Sequence, residues 1–306
     1  MSRAARYDAF GGPEVLYIAD VDEVPPAAGE VAIRVAAAGL NPMDRKLRAG
    51  MVPMGEPRFP RGIGIDFAGT VESVGDGAAF ADGTPVAIGD EVLGWGDGTV
   101  AERVVVPASQ LARRPAGLSE DVAGSLVVAG LTALSSIRTV PVGDGDTVLV
   151  SGAAGAVGIV YAQLAIARRA RVVGVAHPRH HDFLRSLKVD PVAYGERLVE
   201  RVKAHAPCGF TAVQDNHGRE GVDAGLALGV PKERILAIAN HNAVADLGIR
   251  TAPRLRDAED LAWLANEVAA GRIVLPIVAT FPLDEVRAAF ELLESKHDPG
   301  KIVVRP

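Results

Sequence analysis

Two rhythms of apolar residues run along this chain. In the first third, short β-type runs alternate with turn signals. EVAIRVAAAGL (Glu30–Leu40), FAGTVESVG (Phe67–Gly75), GDEVLGW (Gly89–Trp95) and VAERVVVP (Val100–Pro107) predict strands. Pro25-Pro26, Gly39 to Pro42, Asp76-Gly77 and Asp97-Gly98 separate them. Many strands with few helices point to a barrel or sandwich. From Asp146 onward the pattern becomes strand–helix–strand. DTVLVSG (Asp146–Gly152), RVVGVA (Arg171–Ala176), FTAVQ (Phe210–Gln214) and RILAIAN (Arg234–Asn240) are short apolar runs of buried-strand type. Between the first two, Val157, Val160, Tyr161 and Leu164 fall on one helical face, and HDFLRSL (His181–Leu187) predicts a further helix. Such alternation predicts a parallel sheet covered by helices. The tail predicts a helix at Asp257–Ala270, a strand at Ile273–Val278, a helix at Leu283–Ser295 and a last strand, KIVV, at Lys301–Val304.

Composition narrows the class. With 306 residues, 48% of them hydrophobic and 23% charged, the chain can bury a sizeable core in one or two domains. No apolar run reaches the roughly 18 residues of a membrane helix, and MSRAARYDAF lacks the apolar stretch of a secretory signal. A formal net charge of −6 argues against a general nucleic-acid surface. Cys208 is the single cysteine, so neither an internal disulfide nor a zinc site of several thiolates can form. A cytoplasmic protein is expected.

The candidate chemistry starts at SGAAGAVG (Ser151–Gly158). It lies between a predicted strand and an amphipathic helix, the context in which a glycine-rich loop binds a dinucleotide. Ala153 replaces the first glycine of the usual pattern while keeping a small side chain. Gly155 would let the backbone approach a pyrophosphate, and Gly158 would allow close helix–sheet packing. Ala156 and Val157 open the helix whose N–H groups face the phosphates. An NAD site normally carries an acid at the end of the second strand. Here that strand runs into His177-Pro178-Arg179-His180, and Asp182 further on is read as a helix cap. Arg179 can fork onto a 2′-phosphate with His177 or His180 assisting, which favours NADPH over NADH.

Six segments in order resemble one family: AGLNPMDRKLRAG (Ala38–Gly50), GIDFAGTVESVG (Gly64–Gly75), IGDEVLG (Ile88–Gly94), AGLTAL (Ala129–Leu134), GAAGAVG (Gly152–Gly158) and PGKIVV (Pro299–Val304). The chain resembles the zinc-independent, zeta-crystallin-like quinone oxidoreductases of the medium-chain dehydrogenase/reductase superfamily. The resemblance implies an α/β chain with a GroES-like β-barrel catalytic domain and a Rossmann-type, doubly wound parallel-sheet domain. The boundaries would be 1–118, 119–254 and a return to the catalytic domain over 255–306, with substrate and nicotinamide meeting between the domains. It also implies a homodimer. Zinc-dependent relatives place ligands where this chain has Asn41, Ile65 and the Val128–Ala129 region, and they carry a four-cysteine lobe absent here, so no metal is expected.

Without a metal electrophile, alcohol–aldehyde interconversion is disfavoured. Quinones and activated C=C bonds remain suitable hydride acceptors because charge spreads onto oxygen. In NPMDRK the resemblance implies Asn41 as an amide donor near the nicotinamide, Asp44 as an orienting group, and Lys46 where many relatives carry a tyrosine. Lys46 could stabilise an enolate or relay a proton. Thr132 matches a residue expected near the carboxamide. The polar loops QDNHG and IANHN depart from the family pattern, so Asn216, His217, Asn240 and His241 are candidate ligand contacts or ordinary loop residues. The expected partner is a small-molecule substrate, with no nucleic acid and no membrane. An enoyl or natural-product reductase is one alternative, and an NADPH-binding sensor with little catalysis is another.

Overall fold

Backbone pairing, rather than sequence order, groups the strands. The computed structural model describes residues 1–52, 56, 58–254, 256–295 and 297–306, and at position 241 the backbone only. Two units emerge: Met1–Val128 with Arg256–Pro306, and Ala129–Leu255. The strands are β1 (Ser2–Tyr7), β2 (Tyr17–Val21), β3 (Glu30–Gly39), β4 (Arg61–Gly62), β5 (Asp66–Val74), β6 (Glu91–Trp95), β7 (Arg103–Pro107), β8 (Leu111–Arg113), β9 (Thr147–Ser151), β10 (Arg171–Ala176), β11 (Asp190–Ala193), β12 (Ala212–Asp215), β13 (Ile235–Ala237), β14 (Ile277–Pro282) and β15 (Lys301–Arg305).

In the first unit one sheet runs β14-β15-β3-β5-β6-β8, with β7 also on β3, and a smaller sheet runs β2-β1-β4. Strand β3 is central, paired with β5, β7 and β15. Its run of apolar residues is therefore nearly continuous instead of alternating. The tail completes this core: Leu283, Val286, Phe290, Ile302 and Val304 pack in the same buried cluster as Val31, Ile33 and Phe67. Strand β14 begins at Ile277 instead of Ile273. Pro276 lacks an N–H and offers only its carbonyl, which accepts from Lys301 N–H at 2.9 Å, so strand pairing starts beyond it.

Among the helices with no individual sequence expectation above are α1 (Pro42–Arg48), α2 (Glu120–Ala123) and α3 (Leu126–Thr139). The first unit reaches Val128, beyond position 118, because α2 packs against β3 and β5. Gly39 makes that approach possible: its N–H donates to the Gly124 carbonyl at 2.8 Å. A Cβ on Gly39 would lie 2.6 Å from that same oxygen.

The second unit is a five-stranded parallel sheet, β11-β10-β9-β12-β13. Helix α4 (Ala156–Ala167) follows β9, α5 (His181–Ser186) follows β10, α6 (Leu198–His205) follows β11, and α7 (Glu220–Ala227) and α8 (His241–Leu247) follow β12 and β13. Strand order reverses beside β9, so the loop after β9 occupies the switch point where ligands bind in open parallel sheets. The helices α9 (Ala258–Ala269) and α10 (Val286–Glu294) belong to the first unit. Among the described residues no helix is long and apolar enough to cross a membrane.

Gly39→Ala should lower the unfolding free energy by roughly 1–3 kcal/mol, because the added methyl forces α2 off β3. Urea denaturation of the variant beside the parent checks this.

Candidate active site

The loop after β9 divides its work among small residues. Gly152 adopts φ +65°, the left-handed conformation that glycine tolerates without strain. It therefore carries the tight turn. Ala153 is fully buried, and its Cβ would lie 2.9 Å from a Cβ placed on Gly174. A methyl at 153 thus fills a packed position and leaves the turn intact. At Gly158 an added Cβ would meet the Gly152 carbonyl at 2.3 Å and Ala153 Cα at 2.8 Å. Glycine there is imposed by the close fit of α4 on the loop.

Gly155 is different. It is exposed, extended at φ −76° and ψ 158°, and its Cβ would meet only the Gly152 carbonyl, at 3.4 Å. Nothing in the fold itself demands glycine at this position. An external group pressed against the backbone would demand it, and a pyrophosphate at the start of α4 is such a group. Ala156 and Val157, half-buried, form the first turn of this 12-residue helix, which holds no acidic residue to compete. The residues present therefore fit a dinucleotide.

Strand β10 ends at Ala176, followed by His177 and a single 3-10 turn, Pro178–His180. His177 and Arg179 are exposed. Arg179 Nε donates to His180 Nε2 at 2.8 Å, and the Arg179 N–H donates to His177 Nδ1 at 3.3 Å. Asp182 lies within the first turn of α5 and does not cap it; its carboxylate turns to Arg185 at 2.6 Å. The end of β10 is thus basic, with its nearest acid already paired.

A residue overlooked in the sequence joins this group. Tyr194, exposed just after β11, lies 6.2 Å from the His177 ring and 6.4 Å from the His217 ring, centroid to centroid. The signal was a lone aromatic between a strand end and Gly195, at the carboxyl edge where ligands collect.

The polar loops are tied down internally. Asn216 Nδ2 donates to the Ser151 carbonyl at 3.0 Å, and its Oδ1 accepts from Gln214 at 2.7 Å. Buried Asp215 accepts from the N–H groups of His217, Gly218 and Val222. Asn240 caps α8, its Oδ1 accepting from Ala243 N–H at 2.9 Å. The amides of Asn216 and Asn240 thus shape loops. The side chain of His241 lies outside the described residues. Thr132 is half-buried on α3.

In the first unit, Pro42 at the first helical position and Asn41 before it start α1, as their residue types favour. The Asn41 side chain, expected as an amide donor near the nicotinamide, is 2% exposed. Its Oδ1 accepts from Lys301 Nζ at 2.5 Å and its Nδ2 donates to the Gly39 carbonyl at 3.2 Å. Asp44 accepts from Asn41 N–H at 2.8 Å through one oxygen, while its other oxygen is buried without a hydrogen bond. Asp66 accepts from Val128 N–H and lies 3.6 Å from Lys301 Nζ. Burial, reinforced by the Asp66 charge, pushes Asp44 up to about 7. Burial also raises Asp66 and lowers Lys301, and each opposes the other's shift. Lys46 is half-buried on α1, and its side chain has no hydrogen-bond or ion-pair partner among the described residues. With Arg45, it is one of two residues of the NPMDRK set whose charged side chain is uncommitted among the described residues. Ile65 has no donor atom, and Asp66 is already held by Val128 and Lys301, so this donor set suits no metal. Among the described residues no three His, Cys, Asp or Glu side chains converge on a metal position.

Two outcomes follow. Gly155→Ala should leave thermal stability unchanged yet weaken NADPH binding about tenfold or more, whereas Gly158→Ala should cost roughly 1–3 kcal/mol of stability; melting curves and cofactor fluorescence separate the two. Asp44 has a folded pKa raised above its unfolded value of 3.8. Its stabilising neutral form is therefore fully present below that unfolded value and is lost as pH rises through about 7. Asp44→Asn should gain on the parent by about 1–3 kcal/mol between about pH 5 and about pH 8, read by urea unfolding at both.

Known proteins match over the full length. The alcohol dehydrogenase GroES-like domain family matches residues 27–116, and the zinc-binding dehydrogenase family matches residues 187–304. A quinone oxidoreductase of Pseudomonas aeruginosa is 28% identical, with 100% of both chains covered. An acryloyl-coenzyme A reductase of Metallosphaera sedula is 28% identical over 94% of this chain and 95% of its own. The solved structure of a mycobacterial protein complexed with NADPH superposes with a TM-score of 0.85 at 27% identity, covering 100% of both chains. The barrel-like unit and the parallel-sheet unit thus carry matches to two dehydrogenase domain families, and the chain is similar over its whole length to quinone oxidoreductases of the medium-chain dehydrogenase/reductase superfamily.

Proposed function

We propose that this protein is an NADPH-dependent, metal-free oxidoreductase that delivers hydride to a quinone or an activated C=C bond. The observation that carries the reading is Gly155, left bare at an exposed backbone position where the fold has room for a side chain. The basic turn after β10 selects the phosphorylated cofactor. Arg179 offers its guanidinium to a 2′-phosphate, and His177 and His180 beside it orient the turn by accepting from the Arg179 N–H and Nε. The α4 N-terminus receives the pyrophosphate.

NADPH, when bound, supplies the hydride. The chain's own part is binding, orientation and charge. On the substrate side Lys46 meets the negative charge that develops on the acceptor oxygen and can return a proton there. The buried groups around Asn41 and Asp44 hold the start of α1, which carries Lys46. A conjugated acceptor suits this arrangement, because one ammonium suffices when charge is already delocalised. The P. aeruginosa relative supports the quinone side of this reading, and the M. sedula relative supports an enone-type thioester. Homodimerisation and a cytoplasmic location complete the proposal, from the family resemblance.

The test is oxidation of NADPH and of NADH against a panel of quinones and enones. NADPH should be preferred, and Arg179→Ala should abolish the preference by raising the NADPH KM about tenfold or more. Lys46→Met should lower kcat about 10- to 100-fold with little change in NADPH KM. Tight NADPH binding with no turnover across the panel would instead identify a cofactor-binding sensor.

A further inference from the structure

Helix α1 is held at both ends by the C-terminal tail. At its start, Lys301 from β15 donates to the Asn41 side chain at 2.5 Å, across 260 positions of sequence. At its end, Arg48 is 1% exposed and pairs with Glu294 of α10 at 2.6 Å. The Arg48 guanidinium also lies 5.1 Å from the centre of the Phe290 ring, and its Nε donates to the Gly11 carbonyl at 3.1 Å. Lys46 stands between these two anchors on a helix of only seven residues. So short a helix has little stability of its own, so its position is set by what grips it.

The Lys301 contact also decides which way the Asn41 amide faces. An ammonium has no acceptor, so the amide oxygen must face Lys301; the Gly39 carbonyl has no donor, so the nitrogen must face Gly39. Asp66, 3.6 Å from Nζ, holds Lys301 in its charged form against burial. We propose that Lys301 is a positioning residue for the reduction: through Asn41 it fixes the start of α1 and thereby the placement of the Lys46 ammonium, with Arg48–Glu294 as the matching anchor at the other end. This rests on Lys46 acting on the substrate, as proposed above. The groups facing the cluster are Asp44 and Arg48 from α1, Asp66 from β5, Tyr7 from β1, and Arg256.

The experiment separates charge balance from positioning. Lys301→Met alone leaves Asp66 buried without its partner and can fail to fold. The double variant Lys301→Met with Asp66→Asn removes both charges. It should fold and keep NADPH affinity, yet lose kcat about tenfold or more because α1 is no longer gripped. The pH profile of Lys46 acylation, followed by mass spectrometry, should shift in the same variant. A kcat within about twofold of the parent together with an unchanged acylation profile would overturn the proposal. Glu294→Ala, on the accessible side of the other anchor, covers the case in which the double variant does not fold. It should lower kcat about threefold or more at constant NADPH affinity, and an unchanged kcat overturns the proposal. The acylation profile reads the anchor in protein without any substrate, so a parent enzyme inactive on the whole panel refutes the functional reading while leaving this test intact.

Discussion

Burying charge at the heart of the first unit constrains everything built around it. Asp44, Asp66 and Lys301 all sit below 4% exposure, and each loses hydration that only the others and nearby amides can replace. Two carboxyl groups face one ammonium, so the cluster is neutral only when one carboxyl keeps its proton. Asp44, with one oxygen lacking a hydrogen bond, takes that part. The result joins four separate chain segments: the start of α1, the first residue of β5, the start of α3 and the first residue of β15. A tail that failed to return would leave Asp66 and Asn41 with unmet polar groups in an apolar interior.

The second unit solves a different problem with uncharged means. Its glycine-rich loop after β9, proposed to receive a pyrophosphate, combines an open backbone with a tightly packed helix. Gly152 makes the left-handed turn, Gly158 allows the close packing, and Gly155 leaves an open face. Ala153 can replace glycine because the turn is made one residue earlier. Asp215, buried and accepting three backbone N–H groups, then holds the neighbouring loop in shape. In the proposed reading, backbone geometry in the second unit receives the cofactor, and a charged helix in the first addresses the substrate.

Much of the fold was legible in sequence where periodicity and length are decisive. The strands at Glu30–Gly39, Arg171–Ala176 and Lys301–Arg305 appear within a residue or so of their apolar runs. Helix α1 was less legible, although Asn41 and Pro42 are strong starting residues, because seven residues carry too little pattern to show a period. Helix α3 was hidden for the opposite reason: LVVAGLTAL is apolar on nearly every face and shows no amphipathic stripe. Strand β14 was displaced by Pro276, whose effect depends on which strand lies beside it. At the candidate site, the glycine loop and basic turn could be read locally, while Tyr194 could not be connected to His177 until strand order was known.

Local sequence alone determined what depends on one residue and its near neighbours. Glycine conformations, the missing acid after β10, the apolar strands and the absence of thiolate ligands are of this kind. Tertiary structure decided what depends on partners far along the chain. It turned Asn41 inward onto Lys301, gave Asn216 and Asn240 to their loops, and left the charge of Lys46 on α1 uncommitted. The physical reason is that a polar side chain acquires its role from the group that meets its hydrogen bonds. For Asn41 that group is 260 residues away.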